Sequence, residues 1–132
     1  MQEPIWITKE AALAMHERQL AEHGGGAGVR DEGLLESALS RPQNQFFYKD
    51  EHVSIFDMAA AYAYGIATNH PFVDGNKRSA LAVAQTFLAL HGYWFSGSFE
   101  EEYDVFIKLA SGVIDEETLA TWFEKNSEKR KK

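Results

Sequence analysis

The chain has 132 residues, a hydrophobic fraction of 45% and a formal net charge of −7 at pH 7. This length suits one domain with a sizeable core, and the acidic balance argues against a general nucleic-acid binder, which needs a basic face. The sequence has no cysteine, so disulfides and thiolate metal sites are excluded. No apolar run approaches the ~18 residues of a membrane span and no signal-peptide pattern is present, so we expect a cytoplasmic protein without a membrane partner.

Several segments have the apolar spacing of helices, and the predicted fold class is therefore all-α. The predicted helices cover residues 9–22, 32–40, 55–69, 76–91, 99–110 and 116–125. Typical N-cap residues stand before four of them: Thr8, Asp31, Ser98 and Asp115. Residues 93–95 are predicted to be a short extended piece. The helix over 76–91 is apolar nearly all round, which indicates a place in the middle of a bundle.

The first predicted helix carries an inward-facing histidine. Leu13, His16 and Leu20 share one face at a spacing of i, i+3 and i+7. We interpret His16 as a core histidine hydrogen-bonded to a neighbour; the alternative is a ligand or a group that supports a ligand. The glycines at 24–28 have the spacing of neither a dinucleotide-binding nor a Walker phosphate loop, and we predict a flexible connection.

Residues 41–53 are the least regular part of the chain. Arg41 and Pro42 are predicted to end the second helix, because proline lacks a backbone donor and restricts the residue before it. The following residues show no helical period but contain three consecutive aromatics, Phe46, Phe47 and Tyr48. This pattern is compatible with a surface loop whose aromatic side chains tuck into the core.

The last residues are a basic exception in an acidic chain. Lys129, Arg130, Lys131 and Lys132 follow one another directly. We interpret residues 127–132 as a frayed, solvated tail rather than an RNA-binding arm, and we expect residues 1–126 to form a single domain with no direct nucleic-acid partner.

The stretch from His70 to Arg78 places a histidine, a carboxylate, an amide and two cations between two apolar helices. Pro71 cannot continue the first helix, and Gly75 allows the backbone to turn before the second. His70 is predicted to extend the inward face of the first helix, and Phe72 to anchor the loop in the core. The free N–H groups and macrodipole at the start of the second helix attract anions.

The polar residues of this corner suit phosphate chemistry. His70 is the candidate general base, because an imidazole ordinarily titrates near neutral pH; the alternative is a capping histidine. Asp74 is the candidate Mg²⁺ ligand, with an N-cap of the second helix as the alternative or additional role. Exposed cations in a first helical turn would oppose the helix dipole unless an anion is bound. The residues that offer backbone N–H groups or charge to a phosphate are consecutive: Gly75, Asn76, Lys77 and Arg78.

A family resemblance is carried by residues 70–78, whose sequence is HPFVDGNKR. It resembles the Fic/Doc signature, which reads H-P-F-x-[D/E]-G-N-G-R-x-x-R in Fic enzymes. Lys77 stands where Fic enzymes have a second glycine, and Leu81 where they have the last arginine. Both departures match the Doc branch, with its H-x-F-x-D-[A/G]-N-K-R core. The sequence GLLESAL at 33–39, followed by RPQ at 41–43, also resembles Doc-type toxins, so the resemblance covers about residues 7–122.

The resemblance implies a Doc-type (death-on-curing) toxin of a type II toxin–antitoxin system. Its fold would be a Fic/Doc-like bundle of about six helices, with residues 43–53 as a small β-hairpin flap over the active site. Its activity would be a kinase-like transfer of the ATP γ-phosphate, with Mg²⁺, to a hydroxyl of a translation factor such as elongation factor Tu. The catalytic residues would be His70 as base, Asp74 as metal ligand and Lys77. The other implied partner is a cognate antitoxin, a segment of which binds near the active site.

Two other functions stay open at this point. In Fic adenylyltransferases the second glycine makes room for the nucleotide phosphates and the last arginine holds one of them. Lys77 would fill that room and Leu81 cannot bind an anion, which favours transfer of the γ-phosphate over transfer of AMP. The other alternative is a non-catalytic module that binds a nucleotide or an antitoxin.

Overall fold

The computed structural model describes residues 2–49 and 52–130. Within these ranges the chain forms six helices and a two-stranded sheet. Their order is α1 (Lys9–His23), α2 (Glu32–Tyr48), α3 (Ile55–Asn69), α4 (Asn76–Leu90), β1 (Tyr93–Phe95), α5 (Phe99–Ala110), α6 (Glu116–Lys125) and β2 (Ser127–Lys129). The all-α fold class and the helix count are confirmed. No helix of these two ranges is long and apolar enough to cross a membrane.

Local capping sets most of the helix starts. Ser54 and Asp57 form a capping box at the start of α3, in which each side chain accepts the other's backbone N–H, at 2.9 and 3.0 Å. The four N-caps predicted from the sequence each accept a backbone N–H from the first turn that follows: Thr8, Asp31, Ser98 and Asp115. Because these bonds satisfy N–H groups that a helix leaves free, the starts follow from short sequence segments.

α3, rather than α4, is the central helix of the bundle. It packs against α2, α4, α5 and α6, and its residues from Met58 to Ala63 are all buried. Small side chains let its neighbours approach closely. A Cβ on Gly65 would lie 3.1 Å from both the Cα and the Cβ of Ala38 in α2, so glycine is what this crossing permits. The loop after α3 therefore starts from a well-packed support.

α2 corrects the prediction for residues 41–53. The helix does not end at Arg41 but continues through Pro42 to Tyr48, so residues 43–48 do not form the expected β-hairpin flap. Residues 50 and 51 lie outside the described residues. The Pro42 ring is fully buried, and the Ala38 carbonyl, which Pro42 cannot bond, lies against α3 beside Gly65. Core burial and this close contact offset the lost helical hydrogen bond.

Aromatic contacts hold the C-terminal part of α2 against the N-terminal segment. The Trp6 ring centroid lies 5.8 Å from that of Phe46 and 6.3 Å from that of Phe47. Trp6 also stacks on Phe87 of α4, at 6.3 Å. Phe46 is half-buried as expected, whereas Phe47 and Tyr48 are exposed.

The predicted tail covered residues 127–132, and for residues 127–130 the sheet shows that the prediction of a frayed segment is wrong. β1 confirms the extended piece predicted at 93–95 and pairs antiparallel with β2, with Trp94 opposite Glu128. The N–H of Arg130 donates to the Gly92 carbonyl at 2.6 Å. The Arg130 guanidinium carbon lies 5.7 Å from the Trp94 ring centroid, within the range of a cation–π contact. Lys131 and Lys132 lie outside the described residues.

Candidate active site

The signature residues lie where α3 ends and α4 begins. His70 is the C-cap of α3 in the left-handed conformation, with φ 51° and ψ 55°, and its N–H donates to the Ile66 carbonyl at 3.2 Å. The buried Pro71 that follows has no N–H with which to extend the helix. His70 itself is exposed, so the prediction that it extends the inward face of the helix is wrong. The left-handed turn takes the residue off the helical path and leaves it exposed to solvent.

Phe72 and Asn76 anchor the loop. Phe72 is 1% exposed, which confirms its predicted place in the core. Its N–H donates to Asn76 Oδ1 at 2.9 Å, and Asn76 Nδ2 donates to the Phe72 carbonyl at 3.0 Å. The Asn76 amide therefore closes the loop by bonding both backbone groups of one residue. The sequence predicts a role only for the backbone N–H of Asn76, and this bonding of its side chain appears only in the folded structure.

His16 supports the same loop from α1. It is 2% exposed, and its ring stacks on Phe72 with the centroids 3.8 Å apart. His16 Nε2 lies 2.8 Å from the Asp74 carbonyl oxygen. A carbonyl only accepts, so Nε2 carries the hydrogen and donates it. The interpretation of His16 as a core histidine bonded to a neighbour is confirmed, and the neighbour is a signature residue.

Asp74 is held by the glycine-rich connection between α1 and α2. Its Oδ1 accepts the N–H of Gly75 at 2.8 Å, and its Oδ2 accepts the N–H of Gly26 at 3.3 Å. A Cβ on Gly25 would lie 2.8 Å from Oδ2, too close for any other residue without a shift. The N-cap of α4 is Gly75, without a side-chain cap, so the alternative role of Asp74 as N-cap is wrong. Asp74 is exposed, and its oxygens keep lone pairs for a further ligand.

The signature residues border one cleft, with a volume of about 590 Å³. Its lining includes every site residue predicted from the sequence: His70, Asp74, Gly75, Asn76, Lys77 and Arg78. The last three form the first turn of α4, whose N–H groups have no helical partners. Lys77 and Arg78 are exposed, and neither takes part in a salt bridge among the described residues. The start of α4 is therefore a concentration of positive charge that a bound anion would neutralise.

α5 supplies lining residues that the sequence did not reveal. Glu102, Tyr103 and Phe106 border the same cleft. Burial raises the pKa of Glu102 above the usual value of a carboxyl group, because it penalises the charged form. No local motif marks these residues; only the packing of α5 beside the start of α4 brings them to the cleft.

A larger cavity, of about 750 Å³, lies beside α2 and α6. Arg41 and Glu116 border it and are paired, with Arg41 Nε donating to Glu116 Oε1 at 2.9 Å. None of the signature residues lines this cavity. The smaller cleft is the candidate site, because the histidine, the carboxylate and the helix N-terminus meet there.

Sequence comparison identifies a known protein family. The profile of the Fic/DOC family matches residues 6–88, which include the whole signature. The chain belongs to the Fic/DOC family. The Toxin Doc of Mycolicibacterium smegmatis is 38% identical over 99 residues, which cover 74% of this chain and 76% of that protein. The Protein kinase doc of Escherichia phage P1 is 32% identical over 114 residues, 86% of this chain and 89% of that protein. The resemblance inferred from HPFVDGNKR is thereby confirmed.

Proposed function

We propose that this Fic/DOC chain is a Doc-type toxin that transfers the γ-phosphate of ATP to a hydroxyl group of a target protein. One observation carries the proposal: an exposed histidine, a carboxylate, a free helix N-terminus and two cations border a single cleft. Positioning and neutralisation of charge are most of what phosphoryl transfer requires. The names of the two relatives, one a toxin and one a protein kinase, support the same activity.

His70 acts as the general base in this reaction. Its neutral imidazole takes the proton of the target hydroxyl while the hydroxyl oxygen bonds to the γ-phosphorus. The bond from that phosphorus to the bridging oxygen of ADP breaks, and ADP leaves with the electron pair. The N–H groups of the first turn of α4, with Lys77 and Arg78, neutralise the charge on the phosphoryl oxygens.

Asp74 is the residue that would hold Mg²⁺. No group of three or more histidine, aspartate or glutamate side chains could hold a metal ion in the described part of the chain. One exposed carboxylate with free lone pairs beside a phosphate site still fits Mg²⁺, which keeps several waters and binds through one or two carboxylates plus substrate phosphates. When bound, the ion would neutralise charge on the nucleotide phosphates. Gly26 and Gly75 keep the carboxylate oriented for this.

Lys77 and Leu81 support transfer of the γ-phosphate over transfer of AMP. Both line the cleft beside His70 and Asp74, so the two departures from the Fic signature lie at the site itself. Lys77 puts a cationic chain where a glycine would leave space. Leu81 puts an apolar group where an arginine would hold a phosphate. The α-phosphorus then lacks the support it would need to align with the attacking hydroxyl.

The position of the label in ATP tests this proposal. The protein is incubated with a dialysed cell extract and Mg²⁺, once with ATP labelled at the γ-phosphate and once at the α-phosphate. We expect γ-label and no α-label on a target protein. Transfer of α-label would make the chain an adenylyltransferase. Absence of both labels with folded, ATP-binding protein would favour a non-catalytic module.

Substitution of the two residues that differ from the Fic signature, Lys77 and Leu81, gives a second arm of that experiment. The double variant Lys77→Gly/Leu81→Arg restores the Fic pattern at the cleft. We expect it to transfer less γ-label than the unaltered chain. Undiminished γ-transfer by the double variant would show that these two side chains do not select the phosphate.

We further propose elongation factor Tu as the target protein in the cytoplasm, because the resemblance to Doc-type toxins implies a translation factor. Purified elongation factor Tu replaces the extract in the labelled assay. We expect γ-label on elongation factor Tu. We also expect translation to stop when the toxin is present. Label on another protein of the extract, with none on purified elongation factor Tu, would identify a different target.

We also propose a cognate antitoxin that binds beside the cleft. α5 exposes apolar surface there: Tyr103, which lines the cleft, and Ile107 one turn later are 67% and 41% exposed. An amphipathic helix of an antitoxin could cover this face and block the cleft. Tyr103→Glu/Ile107→Glu should weaken binding of the cognate antitoxin, and unchanged affinity would place the contact elsewhere.

A further inference from the structure

Three successive carbonyls at the end of α3 accept hydrogen bonds from Arg30 and Asp31. Arg30 Nε donates to the His70 carbonyl at 2.7 Å, and Arg30 Nη2 donates to the Asn69 carbonyl at 2.9 Å. The backbone N–H groups of Arg30 and Asp31 both donate to the Pro71 carbonyl, at 2.7 and 3.1 Å. The end of a helix leaves its last carbonyls without helical partners, and here two adjacent residues supply those partners.

These bonds surround a residue whose backbone is strained. His70 is the non-glycine residue with positive φ among the residues that the structure describes. Such a conformation persists where the surrounding structure specifies it, and backbone dihedrals set the direction in which a side chain leaves the chain. Within the same residues, Arg30 is the side chain that bonds the backbone of His70. The contact that holds this turn therefore also sets where the imidazole enters the cleft.

A guanidinium group suits this position for two reasons. Its donors lie in a rigid planar fork, so Nε and Nη2 can reach adjacent carbonyls together, whereas an ammonium group is a compact point charge. Its positive charge also lies at the negative end of α3. Arg30 is exposed, so its replacement opens no cavity in the core. Its effect on His70 can therefore be separated from an effect on folding.

We propose that Arg30 is a positioning residue for the general base. By bonding the carbonyls of Asn69 and His70, it holds the left-handed turn that aims the His70 imidazole at the substrate hydroxyl. This inference rests on the proposed function, in which His70 is the base. Arg30 is 40 residues from His70 in sequence and lies outside the signature, so no motif marks it.

Two variants of Arg30 and one control test the proposal kinetically. Arg30→Ala should lower the maximal rate of γ-phosphate transfer by about 10²-fold, the size of effect that a misplaced catalytic group produces. The KM for ATP should stay within about twofold, because the hydrogen bonds of Arg30 go to Asn69, His70 and Pro71 and not to the proposed phosphate-binding residues. The maximal rate of Arg30→Lys should lie between those of Arg30→Ala and the unaltered chain, because a single ammonium group replaces a fork with two donors. Arg18→Ala is the matched control: Arg18 is exposed, bonds Glu22 within α1, and should leave the rate unchanged.

The backbone of residue 70 supplies a readout that does not depend on activity. In isotope-labelled protein, the ¹³Cα shift and the N–H to Hα coupling of His70 report its φ and ψ. Arg30→Ala should move these values away from the left-handed conformation, and Arg18→Ala should not. The thermal unfolding midpoint of each variant is recorded beside them.

The outcomes separate this inference from the proposed function. A transfer rate in Arg30→Ala equal to that of the unaltered chain would overturn the inference. A lower rate together with unchanged His70 signals and a lower unfolding midpoint would also overturn it, because Arg30 would then be merely structural. If the unaltered chain transfers neither label, the proposed function fails. The His70 signals then decide: displacement in Arg30→Ala supports the positioning role, and unchanged signals refute it.

Discussion

At the scale of single residues, His70 combines an exposed imidazole with a backbone conformation that most residues avoid. A non-glycine residue in this conformation costs about 1–3 kcal/mol, so its identity affects stability as well as chemistry. Asparagine, like histidine, is more tolerant of the left-handed region than alanine. His70→Asn therefore removes the imidazole while favouring the same turn, which makes it a cleaner variant than His70→Ala.

We predict that His70→Asn and His70→Ala both lose γ-transfer and growth inhibition. Loss of a positioned base typically lowers a rate by about 10²–10⁴-fold. Far-UV circular dichroism should be nearly unchanged for both variants, and the free energy of unfolding should fall more for alanine.

Asp74→Ala should also be inactive, with a small loss of stability because Gly26 and Gly75 lose an acceptor. A fully toxic His70→Asn variant would rule out catalysis at this corner.

Tyr62 gives a pH-dependent prediction away from the site. Burial raises the pKa of Tyr62 to about 12, although the hydrogen bond from the Ile7 N–H to its hydroxyl oxygen opposes the rise. In the unfolded chain the pKa of this tyrosine is the ordinary value of about 10. Between pH 10 and 12 the unfolded chain therefore loses a proton that the folded chain keeps. Stability from the neutral tyrosine is thus fully present below pH 10. It falls as pH rises towards 12, by about 2–3 kcal/mol at most.

Tyr62→Phe tests that pH dependence. The variant should be less stable by about 1 kcal/mol near pH 8, because the Ile7 N–H loses its acceptor in the core. Its free energy of unfolding in urea should fall less steeply than that of the parent between pH 10 and 12. Parallel pH profiles for the two proteins would show that the buried tyrosine does not govern alkaline unfolding.

At the scale of elements, the close crossing of α2 and α3 fixes the position of α3, the helix that leads into the loop of the cleft. We predict that Gly65→Ala destabilises the protein by about 1–2 kcal/mol. Alanine favours a helix by about 1 kcal/mol over glycine, but its Cβ would lie 3.1 Å from backbone and side-chain atoms of Ala38 that cannot rotate away. The clash outweighs the propensity, and urea unfolding measures the difference.

Ala38→Gly is the matching control for that prediction. By itself it should cost about 1 kcal/mol or more in helix propensity and lost packing. Combined with Gly65→Ala it should cost less than the sum of the two changes, because the Cβ atoms that clash are no longer both present. Strict additivity would show that the two helices adjust freely at this crossing.

At the scale of the whole molecule, the cleft is assembled from parts far apart in sequence. The loop between α3 and α4 supplies His70 and Asp74, the glycine-rich connection orients Asp74, and α5 adds Glu102 and Tyr103. His70, Lys77 and Arg78 are all exposed at this cleft, and we expect an unrestrained enzyme when no partner covers it.

We therefore predict that expression of this chain alone arrests growth of a susceptible host, and that co-expression of the cognate antitoxin restores growth. His70→Asn expressed at the same level is the control and should permit normal growth. Colony counts after induction measure the effect. Healthy growth of cells that contain soluble protein active in γ-transfer would indicate that the restraint lies within the chain.

Much of the fold and of the site could be predicted because it depends on neighbours in sequence. The caps Thr8, Asp31, Ser98 and Asp115 act within one helical turn. Pro71 and Gly75 end one helix and begin the next by restricting or freeing their own backbone. HPFVDGNKR is a contiguous set of chemical groups, so it identified the family and the cleft residues without any knowledge of packing.

Only the tertiary structure decided the features that depend on distant partners. α2 passes through Pro42 because the core buries that ring, and β2 is ordered because it pairs with β1. His70 is exposed in a left-handed turn held by Arg30, and Asp74 is oriented by Gly26. Local propensity fixes dihedrals over a few residues, whereas contacts between segments 30 or more positions apart arise only when the core has formed.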